Sequence, residues 1–260
     1  MATNSGRVAM LTTRHPLNYF LLNQLAAQFE VALVIYEQTG LRRAARQIWR
    51  RARRLGWPTV LGQLLYLLWD RAVVRPRSQA TITQLLAGPN LQPPPLPQLE
   101  TDSVNSVAAV RALTEAAPAV CVVSGTTILR PEILKLAPCF LNIHAGLTPA
   151  YRGAHGAFWA ICEGHPELAG VTIHLVEPGI DTGAIVAQTT IALDPLSDTP
   201  RTLVAKQYLA GAPLMVEAAR RALAGTLETY RRDDLPSRLW YSPTPGDYLR
   251  FRQQLAKLKP

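Results

Sequence analysis

The sequence predicts an α/β fold in which an open, mostly parallel sheet carries helices on both of its faces. Short continuous apolar runs, which are typical of strands buried on both sides, alternate with segments of helical periodicity from residue 7 to residue 144. A chain of 260 residues, 48% of them hydrophobic, can bury one large core or two small ones. The sequence shows no internal repeat and no separate second core, which favours one main domain.

The first turn of the chain differs from that of the common nucleotide-binding sheets. Apolar runs at 7–12 and 31–36 predict two strands, and apolar residues at helical spacing over 17–29 predict a helix between them. The turn between the first strand and this helix contains no glycine. A glycine-rich phosphate loop is therefore missing there, which argues against nicotinamide-dependent and nucleotide-hydrolysing enzymes.

The segment at 41–77 is the most unusual part of the sequence. It contains ten arginines and a single acidic residue, Asp70, so it accounts for the formal net charge of +9. Apolar residues at helical spacing predict one helix up to residue 55, and a second, apolar helix is predicted after Gly56. A solvated helical insertion is one interpretation. The others are a surface for an anionic substrate, a peripheral membrane contact, or a nucleic-acid contact through Arg42–Arg54.

The remaining segments continue the alternation of strands and helices. A proline-rich run at 92–97 is expected to be an extended surface connector. Further helices are predicted at 107–116, 132–136, 156–164 and 202–224 and up to residue 258, and further strands at 119–123, 141–144, 170–176 and 184–191. We therefore predict a main domain at 1–195, with a basic helical insertion at about 40–80. A C-terminal helical extension at 196–260 is expected to pack on the same domain.

Two polar residues stand at the end of the strand at 141–144. Strand side chains alternate between faces, so Asn142 and His144 point to one side while Leu141 and Ile143 point into the core. An amide donor beside an imidazole suits the stabilisation of an oxyanion and the movement of a proton. Taken alone, each residue also fits a structural role, Asn142 as a turn or capping residue and His144 as a satisfied core histidine.

The segments around this pair resemble the folate-dependent formyltransferase superfamily. The resemblance is carried by 142–144 (NIH), by 147–153 (LTPAYRG), and by 170–172 (GVT) followed by 179–183 (GIDTG). It is dense over 118–191, looser over 7–36 and poor over 40–100. The superfamily contains glycinamide ribonucleotide, methionyl-tRNA and sugar N-formyltransferases, together with formyltetrahydrofolate hydrolases. The resemblance implies a Rossmann-like catalytic domain at 1–195.

The resemblance also implies a catalytic triad and a folate site. Asn142 would donate its amide N–H to an oxyanion, His144 would stabilise that charge or carry a proton, and Asp181 would pair with His144 and raise its pKa. Taken alone, Asp181 before Thr-Gly is most simply a turn residue. The co-substrate would be 10-formyltetrahydrofolate, without a metal. Its pterin ring would lie between two loops that contribute Thr127, Ile128, Leu129, Val176, Glu177, Gly179 and Ile180.

The acceptor is predicted to be a primary amine on a small, anionic molecule, with a nucleotide-linked amino sugar as the leading candidate. The missing phosphate loop argues against glycinamide ribonucleotide. Gly146 stands where the superfamily commonly has serine, so acceptor choice is expected to depart at this loop. Within the superfamily, the alternatives are methionyl-tRNA or another amine as acceptor, or water as in the hydrolases. Outside it, the alternative is a catalytically degenerate protein that binds folate or a membrane.

The other histidines and the cysteines are assigned structural roles. His15, His155, His165 and His174 lack the flanking residues of a site and are expected on the surface or in packing. The three cysteines have apolar neighbours and are expected to be reduced. No basic-then-apolar leader opens the sequence and no apolar run is long enough to span a bilayer, so we expect a cytoplasmic protein. An oligomer is left open, because the apolar faces at 57–69 and near Trp240 suit either a core or an interface.

Overall fold

The computed structural model describes residues 6–38 and 40–258, without the side chains at 41–44, 46 and 47. Arg42, Arg43 and Arg46 of the predicted basic surface thus lie outside the described side chains. The strands are β1 (Arg7–Thr12), β2 (Glu30–Glu37), β3 (Gln98–Thr101), β4 (Val120–Val123), β5 (Cys139–His144), β6 (Arg152–Gly153), β7 (Gly170–Leu175), β8 (Ile185–Thr190) and β9 (Leu239–Trp240). The helices are α1 (Pro16–Ala26), α2 (Leu41–Leu55), α3 (Trp57–Trp69), α4 (Arg75–Leu85), α5 (Val107–Ala116), α6 (Pro131–Leu134), α7 (Gly156–Cys162), α8 (Pro200–Ala224) and α9 (Pro245–Ala256).

Seven of the strands form one sheet, in the order β3-β2-β1-β4-β5-β7-β8. The first five strands in this order, β3, β2, β1, β4 and β5, run parallel to one another. Strand β7 is antiparallel to β5, and β8 is antiparallel to β7. The carboxyl ends of β4 and β5 therefore meet at one edge of the sheet, where open α/β sheets place their ligands. The predicted fold class, α/β with a mostly parallel sheet, is confirmed.

Strand β1 shows why the central strands are continuous apolar runs. Val8 and Met10 pack against α1 and α8 on one face of the sheet, while Ala9 and Leu11 pack against α5 and α6 on the other. Both faces of these four positions are thus buried, which leaves no place among them for a polar side chain. A third cluster joins α7 to α9, where the rings of Phe158 and Phe251 stack at 4.8 Å.

Strand β3 and helix α4 are among the elements that the sequence did not predict. Strand β3 follows the proline-rich run directly and lies at the edge of the sheet, where the Val34 N–H donates to the Pro97 carbonyl at 2.9 Å. With four residues and alternating half-exposure, β3 has no hydrophobic signal of its own. Helix α4 carries a proline in its first turn, a position where proline does not interrupt helical hydrogen bonds.

Helices α2, α3 and α4 lie between β2 and β3 in the sequence, and a π-helical turn at Asp70–Val74 joins α3 to α4. The inner side of this segment is fixed to α8. Arg201 Nε lies 3.0 Å from Asp70 Oδ1, and the hydroxyls of Ser78 and Thr199 are 2.8 Å apart. The single acidic residue of the basic segment is therefore used in an internal ion pair. Within the described ranges, no helix has the length and hydropathy needed to cross a membrane.

Candidate active site

Asn142, His144 and Asp181 meet at the carboxyl end of β5. Asn142 and His144 project from the strand on the same side, and Asp181 arrives on the loop between β7 and β8. His144 Nδ1 lies 3.2 Å from Asp181 Oδ2, and Asn142 Nδ2 lies 3.4 Å from Asp181 Oδ1. Three side chains that are 39 residues apart at most in the chain thus form one polar cluster.

The imidazole of His144 is buried between two acceptor oxygens. Its Nε2 lies 2.7 Å from the carbonyl oxygen of Tyr151, and its Nδ1 faces Asp181. Burial lowers the pKa of His144, although Asp181 and the Tyr151 carbonyl act in the opposite direction. The expected influence of Asp181 on this pKa thus has the predicted sign, but desolvation outweighs it. A ring held in this balance can both release and take up a proton.

Asp181 is held in its ionised form by its neighbours. Burial opposes ionisation, but the nearby His144 and the Gly153 N–H, which donates to Oδ2 at 2.8 Å, lower the pKa of Asp181 to about 2. The residue has φ +50°, in the left-handed region that aspartate tolerates better than most residues. A Cβ at Gly183 would lie 1.6 Å from the Leu175 carbonyl oxygen, so the sharp turn after Asp181 requires glycine.

His174 belongs to the cluster, although the sequence assigned it to packing or the surface. It lies directly opposite Asn142 in the antiparallel pair of β5 and β7. Its Nδ1 lies 2.7 Å from the Leu175 carbonyl oxygen, which can only accept, so Nδ1 carries the proton. Its Nε2 can then accept the Asn142 amide N–H, 3.0 Å away. His174 therefore fixes the orientation of the Asn142 amide.

All ten predicted site residues line one open cavity of about 610 Å³. They are Asn142, His144, Asp181, Thr127, Ile128, Leu129, Val176, Glu177, Gly179 and Ile180. Within the described residues, no group of three or more His, Cys, Asp or Glu side chains has the arrangement of a metal site. Two loops, at 125–130 and 176–180, form the walls of the cavity on either side of the polar cluster.

One of these walls, the loop at 125–130, is held in place by a carboxylate from the end of β2. Glu37 accepts the Thr127 N–H at 2.7 Å and its hydroxyl at 2.7 Å. Asn105 supports the same loop, because its amide donates to the Ile128 carbonyl at 3.0 Å. The Thr127 N–H is therefore already engaged. What this wall presents to the cavity is chiefly the Ile128 side chain, which is 60% exposed.

The opposite wall, at 176–180, combines small and apolar residues with one anchored carboxylate. Glu177 Oε1 accepts the Ala184 N–H at 3.2 Å, and Glu177 Oε2 pairs with Arg231 at 3.1 Å. Arg152 Nη1 donates to the Ile180 carbonyl at 3.2 Å, which ties the loop to β6. The main role of Glu177 in this structure is to shape the loop.

Part of the cavity lining comes from residues far from the cluster in sequence. Arg50 and Arg51 of α2 line the cavity, together with Trp240 and Tyr241 from the C-terminal segment. Trp240 is well fixed, since its Nε1 donates to the Ala150 carbonyl at 2.9 Å and its ring stacks on Trp159 at 4.6 Å. The sequence singled out the arginines as a charged segment but contained no signal that placed them at this cavity.

Gly146 is not among the residues that line the cavity, so it is not a contact position for an acceptor. A Cβ there would lie 2.4 Å from the Tyr151 carbonyl oxygen and 2.7 Å from His144 Nε2. The absence of a side chain is what allows the loop to return so closely that Tyr151 contacts His144. On this backbone a serine has no room, so the glycine reflects close packing behind His144.

Comparison with known proteins identifies relatives of this architecture. The model of the family described as formyl transferase matches residues 73–219. The methionyl-tRNA formyltransferase of Synechococcus sp. (strain JA-3-3Ab) is 39% identical over 138 residues, which cover 53% of this chain and 41% of that protein. The chain therefore spans less than half the length of such relatives.

Two solved structures share the fold at low sequence identity. A sugar N-formyltransferase from Shewanella sp. FDAARGOS_354 has a TM-score of 0.58 at 17% identity, over 95% of this chain and 87% of the other. The N-formyltransferase from Helicobacter canadensis, solved with folinic acid and dTDP-3-aminofucose, has a TM-score of 0.57 at 14% identity, over 96% and 80% of the two chains.

Proposed function

The chain belongs to the formyl transferase family, and from this premise we propose that its cavity transfers a formyl group from 10-formyltetrahydrofolate to a primary amine. The observation that carries the proposal is the meeting of Asn142, His144 and Asp181 at the end of β5, within a cavity lined by two loops. The loops suit a flat pterin ring, because Ile128, Leu129 and Val176 offer apolar contacts beside backbone polar groups. When bound, the folate supplies an activated formyl group whose carbonyl carbon is attacked by the amine.

Asn142 is placed to stabilise the charge that develops on the formyl oxygen. One of its amide N–H groups is held by His174, and the other makes only the long contact of 3.4 Å with Asp181. This second N–H is only weakly engaged, so it is available to an oxygen in the cavity while the amide keeps its orientation. A donor that is already oriented needs no rearrangement during the reaction, which is the basis of stabilisation by an oxyanion hole.

His144 and Asp181 manage the proton that the amine loses. The carboxylate stays ionised, since the pKa of Asp181 is about 2, and it stabilises a positive charge on His144. Burial disfavours that charge, so the imidazole can pass the proton on toward the leaving nitrogen. The amine thus gains a C–N bond to the formyl carbon, the bond to the folate nitrogen breaks, and that nitrogen receives the proton.

For the acceptor, we propose a nucleotide-linked amino sugar. Arg50 and Arg51 in the cavity lining suit a diphosphate, and the aromatic residues Trp240 and Tyr241 line the same cavity. The Helicobacter canadensis relative was solved with an acceptor of this kind, dTDP-3-aminofucose. Methionyl-tRNA is the second candidate, because proteins named as methionyl-tRNA formyltransferases are the relatives with 39% identity.

The test is to incubate the protein with 10-formyltetrahydrofolate and separate acceptors, and to measure the release of tetrahydrofolate. The acceptors are dTDP-linked and UDP-linked amino sugars and methionyl-tRNA. Release that depends on an amino-sugar nucleotide supports the proposal, and release only with methionyl-tRNA selects the second candidate. Release without any amine would assign the cavity to hydrolysis. No release with any acceptor, and no folate binding by calorimetry, would contradict formyl transfer altogether.

A further inference from the structure

Helix α3 carries an apolar stripe on its outer face. Trp57, Leu61, Leu65 and Leu68 are 55%, 55%, 61% and 61% exposed. Their spacings of four, four and three residues place them on one side of the helix, one turn after another. Large apolar side chains exposed singly are ordinary, but a continuous stripe of four on one helix marks a surface that binds something.

The orientation of this stripe is set by firm packing on the opposite face of α3. Val60 and Tyr66 are buried, and the Gln63 amide donates to the Ser242 carbonyl at 2.8 Å. The ring of Tyr66 lies 6.2 Å from that of Tyr248 on α9. The helix therefore cannot turn its leucines inward without breaking the contacts that hold it to the C-terminal segment.

Positive charge lies on α2, the helix that precedes the stripe in the chain. Arg50, Arg51, Arg53 and Arg54 are exposed in the last turns of α2, directly before Trp57, and of these Arg50 and Arg51 also line the cavity. Trp49 is half-exposed as well, and the guanidinium of Arg53 lies over its ring at 4.5 Å. The single acid of this region, Asp70, is buried in its pair with Arg201, so it does not screen the arginines.

We propose that α2 and α3 bind the surface of a membrane that contains anionic phospholipids. An exposed row of Leu and Trp, preceded in the chain by a helix with exposed arginines, has the composition of helices that lie in the lipid headgroup region. The apolar side chains enter the boundary with the acyl chains, while the arginines contact lipid phosphates. The contact is peripheral, because no described helix is long and apolar enough to cross the bilayer.

Charge complementarity selects an anionic lipid surface over the other occupants. A second copy of the chain in a two-fold dimer would place the same patch against itself, so the arginines of one copy would face those of the other. A nucleic acid would neutralise the arginines but would leave the three leucines unburied, since its recognition relies on phosphates and on aromatic stacking. A bilayer surface satisfies both parts of the patch together.

The test is co-sedimentation of the full chain with vesicles of phosphatidylcholine alone or with phosphatidylglycerol added. We expect binding only to the anionic vesicles, and weaker binding at high salt. The triple variant Leu61→Gln/Leu65→Gln/Leu68→Gln keeps every charge and should weaken binding by at least about tenfold. The matched control is Leu196→Gln/Leu249→Gln, which changes two exposed leucines outside α2 and α3 and should bind like the wild type.

A second variant keeps the test decisive if the triple variant fails to fold. Arg53→Glu leaves the stripe intact and should reduce binding to anionic vesicles several-fold. Wild-type protein that does not sediment with anionic vesicles would overturn the proposal, and so would equal binding by wild type and Arg53→Glu. A wild-type dimer in analytical ultracentrifugation that the triple variant lacks, without vesicle binding, would assign the stripe to a second copy. A shift of tRNA in gels, without vesicle binding, would assign the arginines to nucleic acid.

Discussion

Replacing Gly146 with serine tests whether close packing shapes the loop behind His144. A Cβ at this position would lie 2.4 Å from the Tyr151 carbonyl oxygen and 2.7 Å from His144 Nε2, whereas ordinary contacts of a Cβ begin at 3.4 Å. Either the loop or the imidazole must therefore move by about 1 Å in an interior that has little free volume. Since Tyr151 and His144 are both buried, neither can escape into solvent.

The expected magnitude follows from this displacement. Overpacking of this size costs about 1–3 kcal/mol of unfolding free energy. If the imidazole moves by about 1 Å from Asp181, turnover should fall by about 100-fold, because misplacement of a reacting group on that scale has such an effect. Both quantities should change together, since one contact causes both.

The measurements are urea unfolding and the release of tetrahydrofolate in the presence of the accepted amine. The matched control is Gly88→Ser, because an added Cβ at Gly88 has no neighbouring atom within 4 Å. Both measurements should be unchanged in the control. Wild-type stability and turnover in Gly146→Ser would refute the reasoning. If Gly146→Ser keeps wild-type stability but uses a different acceptor, position 146 takes part in acceptor selection.

The remaining predictions concern the charges of the site. Asp181→Asn should lower turnover by about 100-fold or more. Because the pKa of Asp181 is lowered to about 2, its carboxylate stabilises the fold above an unfolded pKa of about 4 and loses this effect as pH falls toward 2, which urea unfolding across acidic pH would measure. His174→Leu should lower kcat with little change in the KM for folate, and His174→Gln, which can still accept from Asn142, should recover part of it. Arg50→Gln/Arg51→Gln should raise the KM of an anionic acceptor by about tenfold or more, with kcat nearly unchanged.

Each of these predictions has an outcome that contradicts it. Turnover near that of the wild type in Asp181→Asn would remove the carboxylate from the proton transfer, and an unfolding free energy that stays constant as pH falls from about 4 toward 2 would contradict the lowered pKa of Asp181. Equal rates in His174→Leu and His174→Gln would show that His174 acts through packing alone. An unchanged KM in the double arginine variant would remove the arginines from the acceptor site.

The sequence indicated the residues of the site better than it indicated their contacts. The alternation of side chains along β5 was enough to place Asn142 and His144 together, because that geometry is local. His174 could not be found in the same way. Its role depends on lying opposite Asn142, and the register of two antiparallel strands separated by 25 residues or more is a property of the whole sheet. The contact between Thr127 and Glu37 could not be predicted for the same reason. Glu37 lies at the end of another strand, and the residues next to it in the sequence do not indicate its partner.

The basic helix α2 shows how a single feature of the sequence divides into two features of the structure. Arg50 and Arg51 line the cavity, while Arg53 lies over the exposed ring of Trp49. Composition alone could not assign them, since all contribute the same charge. Binding through the two sets should respond differently to salt. Charges on an open surface are screened within about 10 Å, whereas charges beside the apolar walls of a cavity are screened less. Salt should therefore weaken vesicle binding more steeply than it raises the KM of an anionic acceptor, and equal sensitivity would place both sets on one common surface.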